Sequence, residues 1–100
     1  MEQDTKLLLK EYRNSIDNID AALVFLLSER FKITQKVGIL KAKNTLPPTD
    51  KSREAEQVAR LRELANNSGL DPVFIEKFFS FVVAEVVQNH KKLRGGRSHS

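Results

Sequence analysis

The chain has 100 residues, 40% of them apolar and 30% charged, with a formal net charge of +4, which is the size of one small domain. It has no cysteine, which excludes a disulfide scaffold, a thiol nucleophile and thiolate metal sites, and its two histidines are too few for a histidine-built zinc site. The longest apolar run, residues 21–27, is far shorter than the ~20 residues that cross a bilayer, and no signal peptide is visible at the N-terminus. We therefore expect a cytoplasmic protein without a membrane partner.

The basic excess lies at the C-terminal end of the chain. The last ten residues contain Lys91, Lys92, Arg94 and Arg97 and no acid, whereas the first ninety hold equal numbers of acidic and basic side chains. We expect one domain over residues 1–93, followed by a basic, disordered tail over residues 94–100. A neutral body argues against a nucleic-acid partner, which requires a basic face on the folded domain.

The first predicted element is a single long helix. Apolar residues recur at steps of three and four from Leu8 to Leu40, with one glycine and no proline between residues 4 and 43, and this period is typical of an amphipathic helix. Such a helix is about 60 Å long, whereas a compact domain of this size has a radius of gyration of about 13 Å. The rest of the chain is too short to cover its apolar face, so we expect a homodimer.

A second helix is predicted after the proline-containing segment 44–50. It begins near residue 51, with Thr49 or Asp50 as its N-cap, and ends near residue 66. The sequence Asn-Ser-Gly at positions 67–69 is a typical C-terminal signal.

A third helix begins with Asp71 as N-cap and Pro72 as its first residue, and runs to about Leu93. Its apolar positions recur with helical spacing, and no segment shows the alternation of a strand. The sequence therefore predicts an all-α fold of three helices, with a very long first helix and two copies intertwined in a homodimer.

The spacing of two cations on the first helix suggests an anion site. Arg30 and Lys41 are 11 residues apart, which places them about 20° from each other around the helix and about 16 Å apart along it. A small dianion would fit between two long cationic side chains on one face. Gly38, one turn before Lys41, would leave room for it.

Arg13 cannot join that site within the same chain. It precedes Arg30 by 17 residues, which is about 25 Å along the helix and about 100° around it. In an antiparallel dimer, however, it would enter the site of the partner. The alternative for Arg30 is an ion pair with Glu29 or Asp20.

Four segments together resemble the all-helical (type II) chorismate mutases, and the resemblance covers about residues 6–92. Their combined spacing is specific, although each segment alone is a weak signal. The segments are Tyr12-Arg13-x-x-Ile16-Asp17-x-x-Asp20, Leu27-x-Glu29-Arg30, Val37-Gly38-x-x-Lys41 and Asp50-x-x-Arg53-Glu54. The resemblance implies an intertwined helical dimer with two sites, each completed by a residue of the partner subunit.

The family's reaction is the Claisen rearrangement of chorismate to prephenate on the route to phenylalanine and tyrosine. The reaction is intramolecular, so the resemblance implies no metal and no cofactor. It also implies that Arg13 of the partner subunit and Arg30 bind the substrate carboxylates. Lys41 would contact a carboxylate and the ether oxygen, where negative charge develops.

Five further positions follow from the same resemblance. Arg53 would close the site, and Asp50 and Glu54 would bind the ring hydroxyl. Val86 stands where many bacterial members have serine, which removes a polar contact. His90 stands where glutamine or glutamate contacts the ether oxygen, and we assign it with Lys41 to catalysis. The alternative for His90 is a solvated residue near a helix end.

Two other functions remain open. An isochorismate-pyruvate lyase has a similar fold and similar cations, but Glu54 beside Arg53 favours the mutase. A non-catalytic helical dimer or nucleic-acid binder is the other alternative. The neutral body of the chain and the position of Arg30 beside its most apolar stretch argue against that reading.

Overall fold

The structure, a computed structural model, describes the backbone of residues 2–99 and the side chains of residues 2–93. It consists of α1 (Glu2–Lys43), α2 (Lys51–Ser68) and α3 (Pro72–His99), with no strand among the described residues. The all-α, three-helix prediction is confirmed, and α1, with 42 residues, is as long as the sequence predicted. Helix α3 continues to His99, beyond the predicted end near Leu93. The prediction of a disordered tail concerns residues 94–100, whose side chains lie outside the described part of the chain, and it stays a prediction.

The chain divides into two compact units, Met1–Ile33 and Thr34–Ser100. The first unit is a stretch of α1, and apolar side chains along it are exposed at the predicted three- and four-residue steps. Among them are Tyr12, Ile16, Ile19, Leu23 and Leu26. An accessible apolar stripe of this kind is typical of a surface that associates with another protein chain.

The second unit begins with the last turns of α1 and a tight connection to α2. The backbone N–H of Leu46 donates to the Lys41 carbonyl at 2.8 Å, and the Asn44 side-chain amide donates to the Leu40 carbonyl at the same distance. Thr45 adopts a left-handed conformation with φ of 56°, which is uncommon for a β-branched residue. These bonds satisfy carbonyls at the end of α1 and turn the chain toward α2.

Helix α2 has a side-chain cap at its start and a glycine cap at its end. The Asp50 carboxylate accepts a hydrogen bond from the backbone N–H of Arg53. Gly69 is left-handed with φ of 80°, and the N–H of Leu70 donates to the Ala65 carbonyl at 2.8 Å. The helix continues two residues beyond the predicted end because glycine, not the preceding asparagines, supplies the positive φ that ends it.

Helix α3 starts as predicted, with the Asp71 carboxylate accepting from the backbone N–H of Val73 at 2.9 Å. Ala65 of α2 and Phe79 and Val82 of α3 are the buried apolar residues among those described. An ion pair between Arg62 and Glu76 joins α2 to α3. In the described part of the chain, no helix is long and apolar enough to cross a membrane.

Candidate functional site

The end of α1 and the start of α2 bring a cation and a carboxylate together. Asp50 accepts hydrogen bonds from the Arg53 backbone N–H at 3.1 Å and from the Ser52 hydroxyl at 3.0 Å. These two bonds hold the pKa of the Asp50 carboxyl below its ordinary value of 3.8, and the positive charge of Lys41 acts in the same direction. The Asp50 carboxyl is therefore held in its ionised form mainly by these two hydrogen bonds, with a smaller contribution from the charge of Lys41.

The first turn of α2 carries Arg53 and Glu54 in ion pairs on the surface. The Arg53 guanidinium lies 3.6 Å from the Glu56 carboxylate, and the Glu54 carboxylate lies 3.8 Å from the Lys51 ammonium. Glu54 is the more enclosed of the two predicted site residues, with 25% of its side chain exposed against 61% for Arg53. Surface ion pairs of this kind contribute little to stability.

A cleft of about 470 Å³ lies along α2 and α3, and Glu54 is the predicted site residue that lines it. Its lining combines apolar side chains of both helices with two cations, Lys51 of α2 and Lys91 of α3. Neither Val86 nor His90 belongs to its lining. The lining residues are Thr49, Lys51, Glu54, Val58, Phe79, Ser80, Val83, Ala84, Val87, Gln88 and Lys91.

His90 faces α1, where it is almost fully enclosed. It is 4% exposed, and its Nε2 lies 3.0 Å from the Thr34 carbonyl oxygen. Because a carbonyl only accepts hydrogen bonds, Nε2 must carry the hydrogen and donate it. Nδ1 is buried and has no hydrogen-bond partner among the described residues. The alternative interpretation of His90 as a solvated residue near a helix end is wrong.

Gly38 lies directly under the His90 ring. A Cβ atom at position 38 would lie 2.5 Å from Cδ2 and 2.9 Å from Nε2 of His90, and 2.9 Å from Cδ1 of Leu93. The expectation that Gly38 leaves room for a bound dianion is therefore wrong, because the imidazole of α3 already fills that space. Val86, one turn before His90 on α3, is half-buried and adds no polar group.

The remaining predicted residues lie on the first unit. Arg13 is exposed and Arg30 is half-buried, while the carboxylate of Glu29 lies 3.0 Å from the Lys32 ammonium. The second unit thus holds Lys41, the three predicted residues around the start of α2, and the two predicted residues of α3. Sequence analysis missed Thr34, because a contact made by a main-chain carbonyl leaves no mark on residue type.

Comparison with known proteins points to one family. A family model described as chorismate mutase type II matches residues 12–91. The chain is 33% identical over 85 residues to the bifunctional chorismate mutase/prephenate dehydratase of Buchnera aphidicola subsp. Schizaphis graminum (strain Sg), covering 85% of this chain and 22% of that protein.

Two further relatives show the same pattern of coverage. The T-protein of Enterobacter agglomerans is 35% identical over 77 residues, covering 77% of this chain and 21% of that protein. The bifunctional chorismate mutase/prephenate dehydratase of Aquifex aeolicus (strain VF5) is 33% identical over 79 residues, covering 79% of this chain and 22% of that protein. The chain therefore spans about a fifth of the length of these curated relatives.

Proposed function

Since this chain belongs to the chorismate mutase type II family, we propose that it catalyses the rearrangement of chorismate to prephenate. The observation that carries this proposal is the family match over residues 12–91, which includes every predicted site residue from Arg13 to His90. We restrict the proposal to the mutase step, because the chain spans only about a fifth of its bifunctional relatives.

The reaction requires positioning and charge rather than a nucleophile. One carbon–oxygen ether bond breaks while one carbon–carbon bond forms within the same molecule, and negative charge develops on the ether oxygen. Binding the compact conformer of the substrate lowers the barrier because the reacting atoms are already aligned. A preorganised cation near the ether oxygen stabilises the transition state further.

Lys41 is the residue to which we assign that cation. It lies near an ionised Asp50, which supports a site where an ammonium meets the ether oxygen and a carboxylate accepts from the ring hydroxyl. Glu54 would share the hydroxyl. Arg53, whose side chain is 61% exposed and paired with Glu56 at the surface, would close over the substrate and exclude water. Arg30 would bind a substrate carboxylate.

His90 has a narrower set of options than the sequence suggested. Its Nε2 hydrogen is donated to Thr34, so only Nδ1 remains for the substrate. A neutral ring with the hydrogen on Nε2 presents a lone pair at Nδ1, and only the imidazolium presents an N–H there. The proposed contact between His90 and the ether oxygen therefore requires a protonated ring.

A second copy of the chain completes the proposed site. The exposed apolar stripe on residues 1–33 supports a homodimer, because burying apolar surface contributes about 25 cal/mol per Å². In that dimer Arg13 would enter the site of the partner subunit and bind the second substrate carboxylate. The proposed assembly needs no nucleic acid and no membrane, and we place it in the cytoplasm.

Incubation of the purified chain with chorismate tests the proposal. We expect the diene absorbance of chorismate to fall as prephenate appears, without added metal or cofactor. Lys41→Ala should lower kcat/KM by about 100-fold or more, the usual effect of removing a donor to a developing oxyanion. Lys43→Ala is the matched control, because Lys43 is an exposed lysine in the same turn and should leave activity unchanged.

Isochorismate separates the mutase from the lyase. Release of pyruvate from isochorismate, with no prephenate formed from chorismate, would establish the lyase instead. If neither compound reacts, the chain has the family fold but lacks the proposed activity.

A further inference from the structure

We propose that His90 is a positioning residue that holds the last turns of α1, and with them Lys41, against α3. In this role glycine is required at position 38, because the imidazole occupies the space that any other side chain would need. The proposal rests on the proposed function, since the reaction defines what Lys41 must do. It is independent of whether Nδ1 of His90 also contacts the substrate.

The hydrogen bond joins α3 to the main chain of α1. Within a helix the Thr34 carbonyl is the regular acceptor for the N–H of Gly38, four residues later. A carbonyl oxygen has two lone pairs, so His90 takes the second one at 3.0 Å. Because the acceptor is main chain, no rotation of an α1 side chain can release it. The bond therefore fixes the helix backbone itself, and it lies in an enclosed place where His90 is 4% exposed.

In addition to its hydrogen bond to Thr34, the His90 ring packs closely against the α1 backbone at Gly38. We call these two contacts of His90, with Thr34 and with Gly38, the joint. Position 38 is the buried position of α1 among the residues that the structure describes. A Cβ there would be 2.5 Å from Cδ2 of His90, a separation at which the ring must move. Glycine in a helix interior is unfavourable because of its conformational freedom. Its presence here is explained by the approach of the imidazole to the helix backbone.

A shift of α1 at Gly38 would also move Lys41, because Lys41 follows Gly38 by three residues, within one helical turn. The segment from Thr34 to Lys41 is regular helix, so a shift at the joint moves the Lys41 backbone with it. Lys41 is half-buried and lies near Asp50. Misplacement of a catalytic group by about 1 Å can lower a rate by about 100-fold, so the contacts of His90 with α1 affect the proposed chemistry through the position of Lys41.

A double-mutant cycle in kcat tests the coupling. Gly38→Ala should lower kcat between about 10- and 100-fold with a smaller change in KM, because it misplaces a group that acts in the transition state. In a His90→Ala background the same substitution should change kcat by less than about twofold, because the ring is gone. Gln35→Ala, an exposed change on the same part of α1, should have no effect in either background. Equal losses from Gly38→Ala in both backgrounds would overturn the proposal.

Conservative variants test the hydrogen bond itself. The side-chain nitrogen of glutamine reaches about as far as Nε2 of histidine, whereas that of asparagine is one carbon shorter. His90→Gln should therefore retain most of kcat, while His90→Asn should fall to the level of His90→Ala. If asparagine rescues kcat as well as glutamine does, donation to the Thr34 carbonyl is not what matters.

Nitrogen-15 NMR of the His90 ring needs no turnover and so separates this proposal from the proposed function. Nε2 should carry a slowly exchanging hydrogen, with or without prephenate, because it donates to the enclosed Thr34 carbonyl. Gly38→Ala should remove that slow exchange. If wild-type protein fails to convert chorismate but shows this signal, the function fails and the joint stands. A fast-exchanging ring, or a hydrogen on Nδ1 instead, would exclude the joint whatever the activity.

Discussion

Alanine at position 38 should destabilise the chain, although alanine is the better helix former. At an exposed helix position, Gly→Ala stabilises by about 1 kcal/mol. At position 38 the new Cβ would lie 2.5 Å from Cδ2 of His90 and 2.9 Å from Cδ1 of Leu93, and overpacking of this kind costs about 1–3 kcal/mol. Displacing the ring also removes the hydrogen bond to Thr34, which is worth about 1 kcal/mol. The net loss is about 1–3 kcal/mol.

Gly38→Ala should stabilise the chain, instead of destabilising it, when the His90 ring is absent. In a His90→Ala background only the flexible end of Leu93 opposes the new methyl group, so Gly38→Ala should stabilise by up to about 1 kcal/mol. Urea unfolding followed by helical circular dichroism, at one fixed protein concentration, measures both values. For a domain of this size 1 kcal/mol corresponds to about 4–8 °C in Tm. Destabilisation of equal size in both backgrounds would refute the reasoning, because the clash would then not involve His90.

Three further predictions concern the assembly and the start of α2. Leu23→Asp places a charge in the exposed apolar stripe and should shift the chain from dimer to monomer in light scattering; an unchanged dimer would place the interface elsewhere. Arg13→Ala and Arg30→Ala should each lose most activity. Refolding the two variants together should restore part of it, because one site of the heterodimer then has neither defect. If no activity returns, both residues act in the site of a single chain. The pKa of Asp50 in the folded chain lies below its ordinary value of 3.8. The stabilisation from its charge is therefore fully present above the ordinary pKa and is lost as the pH falls through the folded pKa. The advantage of wild type over Asp50→Asn in urea unfolding should therefore shrink between about pH 6 and pH 2.5, and a pH-independent difference would contradict this.

Local signals in the sequence determined the helices of this protein. The apolar period and the scarcity of glycine and proline predict the 42-residue α1, and Asp50 and the pair Asp71-Pro72 predict where α2 and α3 begin. These signals act through neighbouring main-chain groups, so they can be recognised without knowing what packs against them. The sequence predicted the end of α2 two residues too early. The left-handed Gly69 ends the helix, whereas the polar residues directly before it are still helical.

The family pattern likewise predicted a set of site residues, because residue spacing along a helix determines which face a side chain occupies. The proximity of Lys41 to Asp50 is consistent with that pattern. Spacing does not determine which neighbour fills the space opposite a given face. Only the tertiary structure shows that the space over Gly38 holds the imidazole of His90, and that Nε2 is bonded to the Thr34 carbonyl. That contact joins positions 56 residues apart and involves a main-chain acceptor, so it depends on how α3 packs against α1 and not on any local signal in the sequence.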